Sequence, residues 1–478
     1  MPKILFNITH GFQARMLLRS QIAENLLAAG VELVVVSPNA EEVYFQQEFA
    51  HPQITLIKTP LKSSRLENYL TTLRQYFLMN PRLGGTLNAK SETLRRNSPG
   101  FYWFSRCVNQ VLGNIPPLRR LYLYLEKKLY AGREYDPLLL SARPDLVVTG
   151  TPGYSLADIH LIRAAQRAKL RTATVMLSWD NLTSKGYMGA QPDHLLVWSD
   201  LMAGEAVEYH DYPRNQIRWC GAAQFDQYFQ YKAGFDRAAW LTAQGIPATA
   251  KLLMYGTINP GIVPHEFEIL RSLVQRINAN ELGDQCYLWI RLHPQVINGF
   301  WAQDCKKYEA LAGPRVRIEK PPVRESTLVW DLPKSDMDHL ANLLCASDIS
   351  INCCSTLTID AACVDTPIIN TFFDGETPLA DPAKSVARFA HYTHYAKLLE
   401  TGGVALAHSP AEFITLAQNY LQNPHLHQAE RAAIVRQQFN RLDGKAAERT
   451  AHCLIELCGG PSGGEGRIQP EMAATTAK

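Results

Sequence analysis

An Arg-Leu-His-Pro run, Arg291–Pro294, closes the apolar segment Tyr287–Arg291, and a hydroxyl pair, Ser355–Thr356, follows the apolar segment Asp348–Asn352. A third apolar segment, Lys251–Tyr255, ends in Gly256–Thr257. These residue types suit an anionic ligand. Hydroxyls donate, an Arg and an imidazole add charge or a further donor, and a Gly admits close backbone approach. Where a helix starts at Ser355 and Thr356, its free N–H groups and macrodipole add to the hydroxyls, an arrangement that holds phosphate. The same two residues are ordinary N-caps, and the roles are compatible. His293 is kept out of the α region by Pro294. Its imidazole can donate to a departing phosphate and stabilise the growing charge.

A proton acceptor is expected from the first half of the chain. His10-Gly11 follows the apolar run Ile4–Ile8, and Asp180 lies in Ser178-Trp179-Asp180-Asn181, directly after Ala173–Leu177. An imidazole titrates near neutrality and a carboxylate can take a hydroxyl proton. Asp180 equally suits an Asx turn, and a base elsewhere stays open. Gly11, Arg15 and Asn181 are candidates for contact with a second, nucleophilic substrate, and Lys185-Gly186 is expected to form a flexible loop. Asp336-Met337-Asp338 looks like a cation site, but Ser335 and Asp338 read better as a variant capping box at a helix start. Cys345, Cys353, Cys354 and Cys363 lack zinc spacing and read as core. His391-x-x-His394 has no third ligand in the sequence. No metal and no cofactor is expected.

The elements that must position these residues alternate strand and helix. Ile4–Ile8, an amphipathic stretch Ala14–Ala29 ending at Gly30, and Val31–Val36 form a β-α-β opening without GxGxxG. Asp145–Thr149, Ala173–Leu177, His194–Trp198 and Arg218–Gly221 continue the first half. The pattern restarts near Gly245, and Thr366–Asn370 adds a further strand to the three above. Continuous apolar runs of this kind suit strands buried on both faces of a parallel sheet, and ligands of such sheets sit beyond the strands' carboxyl ends. The expected domains are 1–240 and 241–440, both Rossmann-like, then a late helix over 441–458 and a disordered tail over 459–478.

The chain has 478 residues, 46% of them apolar, and a net charge of +3, which argues against a nucleic-acid partner. The lack of an 18-residue apolar run or a signal peptide and the scattered ten Cys suggest a reducing cytoplasmic setting. The charge is uneven. Residues 61–130 carry twelve Lys or Arg against three acids, interleaved with aromatic rings. Such an insert suits an anionic membrane surface or acceptor. It also suits a basic helical subdomain whose rings are core.

Two Rossmann-like halves with loaded strand-end turns in the second resemble the GT-B glycosyltransferases. Arg291-Leu-His-Pro294 is similar to the R-x-H-P motif of the CDP-glycerol glycerophosphotransferases and bacterial polysialyltransferases. Ser347-Asp348 through Ser355-Thr356 and Asp360, Phe373-Asp374, and Asp443-Gly444 through Glu448-Arg449 resemble that group's later segments. The likeness covers mainly Lys251–Leu457; Cys354-Ser355-Thr356 and Gly256-Thr257 depart from the usual two serines and Pro-Thr. It implies an α/β GT-B fold with two domains facing across a cleft, the basic helical insert lying in the first. It also implies a metal-independent glycosyltransferase acting in cell-envelope polysaccharide biosynthesis. A nucleotide-sugar donor, CMP- or CDP-linked among the options, would bind through Gly256, Thr257, Arg291, His293, Pro294, Ser355 and Thr356. The acceptor would be a surface glycan or a lipid-linked one, with the enzyme cytoplasmic and peripheral at the membrane's inner face. CDP-polyol phosphotransfer and a non-catalytic nucleotide-sugar-binding subunit are the alternatives.

Overall fold

A computed structural model describes residues 1–60, 64–232, 234–298, 301–381 and 384–459. Seven strands form the first sheet: β1 Lys3–Asn7, β2 Glu32–Ser37, β3 Ile54–Lys58, β4 Leu146–Thr149, β5 Arg171–Val175, β6 His194–Val197 and β7 Ile217–Trp219. All pair in parallel, in the order β3-β2-β1-β4-β5-β6-β7. Six strands form the second: β8 Lys251–Gly256, β9 Cys286–Arg291, β10 Val316–Glu319, β11 Ile349–Asn352, β12 Ile368–Thr371 and β13 Ala405–Ala407. They are also parallel, in the order β10-β9-β8-β11-β12-β13. The two-domain α/β fold is the one expected. The central strands β1, β4, β8 and β11 are buried almost end to end, which is why they read as unbroken apolar runs. The tail lies outside the described residues from 460 onward.

The first helical stretch is not continuous. A short turn Gly11–Gln13 runs into a π-helical turn Ala14–Leu18, closed by Arg19 N–H to the Ala14 carbonyl at 2.9 Å, and a new helix, Gln21–Ala28, starts at Ser20. Single π turns inside helices often re-aim side chains at functional sites. Arg15 lies within this one.

A loop of the second half is built into the first. After β10 the chain crosses over, and Leu328 packs in the apolar cluster of β1, β2 and the helix Gln21–Ala28. Asp331 is fully buried and pairs with the equally buried Arg19 at 2.7 Å. The Tyr44 hydroxyl donates to Asp331 at 2.6 Å, and Arg324 reaches Glu48 at 2.5 Å. Gly11 donates its N–H to the Val329 carbonyl at 2.9 Å, and a Cβ at Gly11 would overlap the Trp330 carbonyl. The C-terminal helix Ala446–Leu457 returns to the first half. Its first N–H groups are held by Asp226 at 3.0 and 2.8 Å, and Arg449 donates to the Cys220 carbonyl while pairing with Asp443.

Residues 65–129 form four main helices: Arg65–Phe77, Gly84–Asn97, Pro99–Leu112 and Pro116–Leu129. The helix expected to open on a Ser335/Asp338 box instead starts at Lys334 behind Pro333, with no side-chain cap. Asp336 turns inward to an ion pair with Arg291.

Replacing Arg19 with Met strands the Asp331 carboxylate in an apolar setting. Urea unfolding is expected to show a loss of about 3–5 kcal/mol; a loss within about 0.5 kcal/mol would mean that the pair does not hold the loop.

Candidate functional site

The strand-end residues of both halves meet around Trp330. His10 follows β1 and caps the turn at Gly11; His293 follows β9 and caps the helix Pro294–Ile297. Each accepts a backbone N–H at its own Nδ1, from Phe12 and Gln295 respectively, both at 3.2 Å. Both rings stand edge-on to Trp330, with centroids 5.1 and 5.2 Å away. Thr257, after β8, holds the arrangement by accepting the His293 N–H at 2.7 Å. Pro294 occupies the first position of its short helix, where its missing N–H costs nothing.

Because Nδ1 accepts in each ring, the neutral imidazole carries its proton on Nε2. Neither Nε2 has a hydrogen-bond partner among the described residues, so both are free donors. Burial lowers His293 to about 4. Burial, with help from Lys185, lowers His10 to about 4. Both are therefore neutral donors at physiological pH. His10 in this state has no lone pair on its free nitrogen and cannot act as a base.

Asp180, after β5, is part-buried. Its oxygens accept from the Ser178 and Ser184 hydroxyls, each at 2.6 Å, and Lys185 Nζ stands 3.6 Å away. Burial pushes this carboxyl up, but Lys185, His394 and the two hydroxyls outweigh it and hold it well below the usual carboxylate range. The tight turn is closed by Asn181, whose side chain accepts the Ser178 N–H at 2.9 Å. That use commits Asn181 to the loop. Gly186, in the left-handed region, lies so close to Gln75 that a Cβ would overlap that residue's backbone, which pins the loop expected to be flexible.

The opposite wall is the turn after β11. Ser355 accepts the Leu357 N–H at 3.3 Å as a cap, while exposed Thr356 accepts the Trp179 indole N–H at 3.2 Å across the cleft. Trp179 also meets His394 edge-on at 4.7 Å, and Thr183 bonds His394 at 3.0 Å. Cys354 takes the left-handed conformation that lets the chain turn between β11 and the helix Leu357–Cys363.

Two residues expected at the donor are used elsewhere. Arg291 is buried and its guanidinium is spent on Glu319 and on Asp336, the latter at 2.6 Å. Gly256 faces Leu357, whose methyl fills the space a Cβ would take, so the Gly serves strand–helix packing. Arg15 behaves in the opposite way. Its Nε is buried with no partner, as is the Trp330 indole N–H. Nearby Asp360 is instead bonded by the Tyr228 hydroxyl at 2.7 Å. The two neutral imidazole donors brought together at Trp330 suit an oxyanion-rich ligand.

Lys90 and Trp330 stand at the candidate site, and sequence reasoning missed both. Lys90 donates to the Ser184 carbonyl, and burial, then the neighbouring Lys185, lowers its ammonium to about 8. It lies in the insert, far along the chain from Asp180, and no local pattern marks it. No group of three or more His, Cys, Asp or Glu able to hold a metal occurs among the described residues.

No family model matches the sequence, and no curated protein matches it. Solved structures do match the fold. The S. aureus MnaA–UDP structure superposes with a TM-score of 0.56 at 10% identity, over 97% of this chain and 99% of that one. A UDP-GlcNAc 2-epimerase from Neisseria meningitidis bound to UDP-GlcNAc gives 0.55 at 11%, over 95% and 100%. A glycosyltransferase from Rickettsia africae gives 0.51 at 11%, over 95% and 98%. The chain thus has the two-domain GT-B fold.

Four imidazoles, those of His10, His210, His293 and His394, are lowered to about 4, chiefly by burial. Between their unfolded value near 6.5 and that value, the unfolded chain binds protons that the folded one refuses, so each costs stability as pH falls through the window. Buried Asp158 and Asp360, raised to about 6, act in the opposite sense. The difference between variants isolates the imidazoles. A His10→Asn/His293→Asn protein is expected to lose less melting temperature from pH 7 to pH 5 than the wild type, by scanning fluorimetry. Equal losses would place these two rings in water.

Proposed function

We propose that the protein is a metal-independent glycosyltransferase that moves a sugar from a nucleotide-activated donor to a glycan or lipid-linked acceptor at the inner face of the cell membrane. The observation that carries this reading is the His10–Trp330–His293 arrangement, in which each half contributes one neutral imidazole donor to the same cleft. The UDP and UDP-GlcNAc bound by two structures of like fold support a nucleotide-sugar donor; the nucleotide here is left to experiment, with CMP and CDP among the candidates.

In this reading the donor phosphates lie against Thr356 and Ser355 and within reach of His293. Charge grows on the phosphate as the sugar–oxygen bond breaks, and fixed donors stabilise it without needing to reorganise. Arg15 and Lys185 supply the positive potential. The acceptor hydroxyl must lose a proton. With His10 set aside by its tautomer, we assign this role to Asp180, the second candidate of the sequence. Each carboxylate oxygen accepts one serine hydroxyl and keeps a second lone pair. The carboxylate is weakly basic, so proton transfer runs late, after the donor bond has begun to open.

Thermal shift with CMP, CDP, UDP, GDP and dTDP is expected to single out one nucleotide, since a ligand selective for the folded state raises apparent stability. With the matching nucleotide sugar, His293→Ala is expected to lower kcat about 10²–10³-fold, and Asp180→Asn about 10²–10⁴-fold, both with near-wild-type melting. Wild-type turnover in either removes that residue's role. Epimerised donor formed without any acceptor, or transfer of a polyol phosphate from CDP-glycerol, would replace the glycosyltransferase reading.

A further inference from the structure

The helices Pro99–Leu112 and Pro116–Leu129 seat polar side chains inward and leave large apolar ones in water. Ser105, Asn109, Arg119 and Glu126 are all buried, beside half-buried Phe101, Val108, Leu112, Tyr122 and Leu123 packed on Phe77 and Leu78. Asn109 donates to the Phe77 and Met79 carbonyls at 3.1 and 2.7 Å, Arg119 grips Asp211 at 2.6–2.9 Å, and Glu126 accepts from Arg74 and Arg163 at 2.6 and 3.0 Å. Their outward faces are apolar. Trp103, Phe104, Val111, Leu121, Leu125 and Leu129 are 51–70% exposed. The buried ion pairs and amide bonds fix which face points out, so the helices cannot roll to hide these side chains. A contiguous apolar surface on a soluble fold marks a site of contact.

We propose that this face is a docking surface for an anionic lipid bilayer, into whose headgroup layer the two helices lay their apolar sides. Charge selects this occupant. The only acid within 98–130 is Glu126, and it is buried; Arg120 and Lys128 are exposed beside the leucines. Aromatic and leucine side chains flanked by Lys and Arg are the make-up of an interfacial helix. Each helix has 14 residues, about 21 Å at 1.5 Å per residue, too short to span a bilayer and suited to lie in its surface. No helix among the described residues is long and apolar enough to cross a membrane. The structure also divides the parts played by charge and by apolar side chains. Arg119 is turned inward, and Arg95 and Arg96 are paired with Glu92, Arg96 with Asp381 as well, so apolar insertion carries the contact and charge assists it.

This deepens the membrane-facing part of the proposed function and connects it to the cleft. The helix Gly84–Asn97 packs against Pro99–Leu112 and places Lys90 on the Ser184 carbonyl. A bilayer on the outer face would thus lie two helix layers from Asp180 and Lys185, where a lipid-linked acceptor is needed.

The test uses the full chain and no donor or acceptor. Vesicles of phosphatidylcholine with 30% phosphatidylglycerol are expected to cosediment the protein, with binding weakened but not abolished at 0.5 M salt. They should blue-shift Trp emission, a shift lost in Trp103→Phe. Leu121→Ser/Leu125→Ser is expected to weaken partitioning at least about tenfold while nucleotide thermal shifts stay unchanged, and Arg95→Ala/Arg96→Ala to leave it within about twofold. Absence of wild-type binding at low salt, or undiminished binding by the leucine variant, overturns the proposal. So does a wild-type dimer in light scattering that the leucine variant abolishes, because the face would then be covered by a second copy. Vesicle binding without any nucleotide response would instead count against the glycosyltransferase reading.

Discussion

Asp331 belongs to the second half of the chain and is fully buried in the first, where its charge is matched by a buried Arg19 at 2.7 Å. A charge in that position is tolerable only while its partner is in place. The pair therefore works as a lock on the crossing loop. Trp330, next in the chain, sits in the left-handed region, a conformation that costs a bulky residue about 1–3 kcal/mol and persists only where its surroundings over-determine it. The lock supplies that determination. Trp330 is then held edge-on between His10 and His293, and the distance between the two halves is set at the place where chemistry is proposed.

The two halves solve one problem twice. Each brings a His to a strand's carboxyl end, holds it extended, and uses its Nδ1 to cap the following turn. The cap satisfies a backbone N–H and simultaneously fixes the tautomer, so the free nitrogen is a donor in both. Burial keeps both rings neutral. A neutral donor stabilises developing negative charge without binding the resting ligand as a salt bridge would, which favours the transition state over the ground state. Permanent charge close to His10 comes from Lys185.

The strands that place the site were legible because parallel strands buried on both faces are continuous apolar runs, and the residues ending them stand out. β3, β10 and β13 escaped notice because they lie at or near sheet edges, are short, and alternate or carry charge, as in Val316-Arg-Ile-Glu319. The motif residues divided by their partners. His293 and Ser355 make their caps to residues two positions on, which the local sequence is enough to suggest. Arg291 looked like a phosphate ligand because the carboxylates that consume it, Glu319 and Asp336, lie 28 and 45 residues away. Gly256 looked like a ligand approach because Leu357 arrives from another strand-end turn. Trp330 and Lys90 carried no signal, since Trp330 is placed only when one half packs against the other and Lys90 only when the insert packs on the loop after Asp180, 94 residues away.

The insert joins this logic rather than decorating it. Its helix Gly84–Asn97 touches both halves: Gly85 lies flat against the His391 carbonyl, the Thr86 hydroxyl bonds Thr393 at 3.1 Å, and Lys90 reaches Ser184. A Cβ at Gly85 would collide with that carbonyl, so the close approach depends on glycine. The halves are thus tied at several separated places: by the Arg19–Asp331 loop, by this helix, by the returning C-terminal helix on Asp226 and by the Lys397–Glu205 ion pair at 3.0 Å. These ties leave little freedom for the halves to swing apart as rigid bodies. Opening the cleft must instead work through the short turns between them, chiefly Trp179–Thr356 and Thr183–His394, each of which rests on a single hydrogen bond. Those weak contacts can break while the buried pairs that set the geometry of the two imidazoles stay closed.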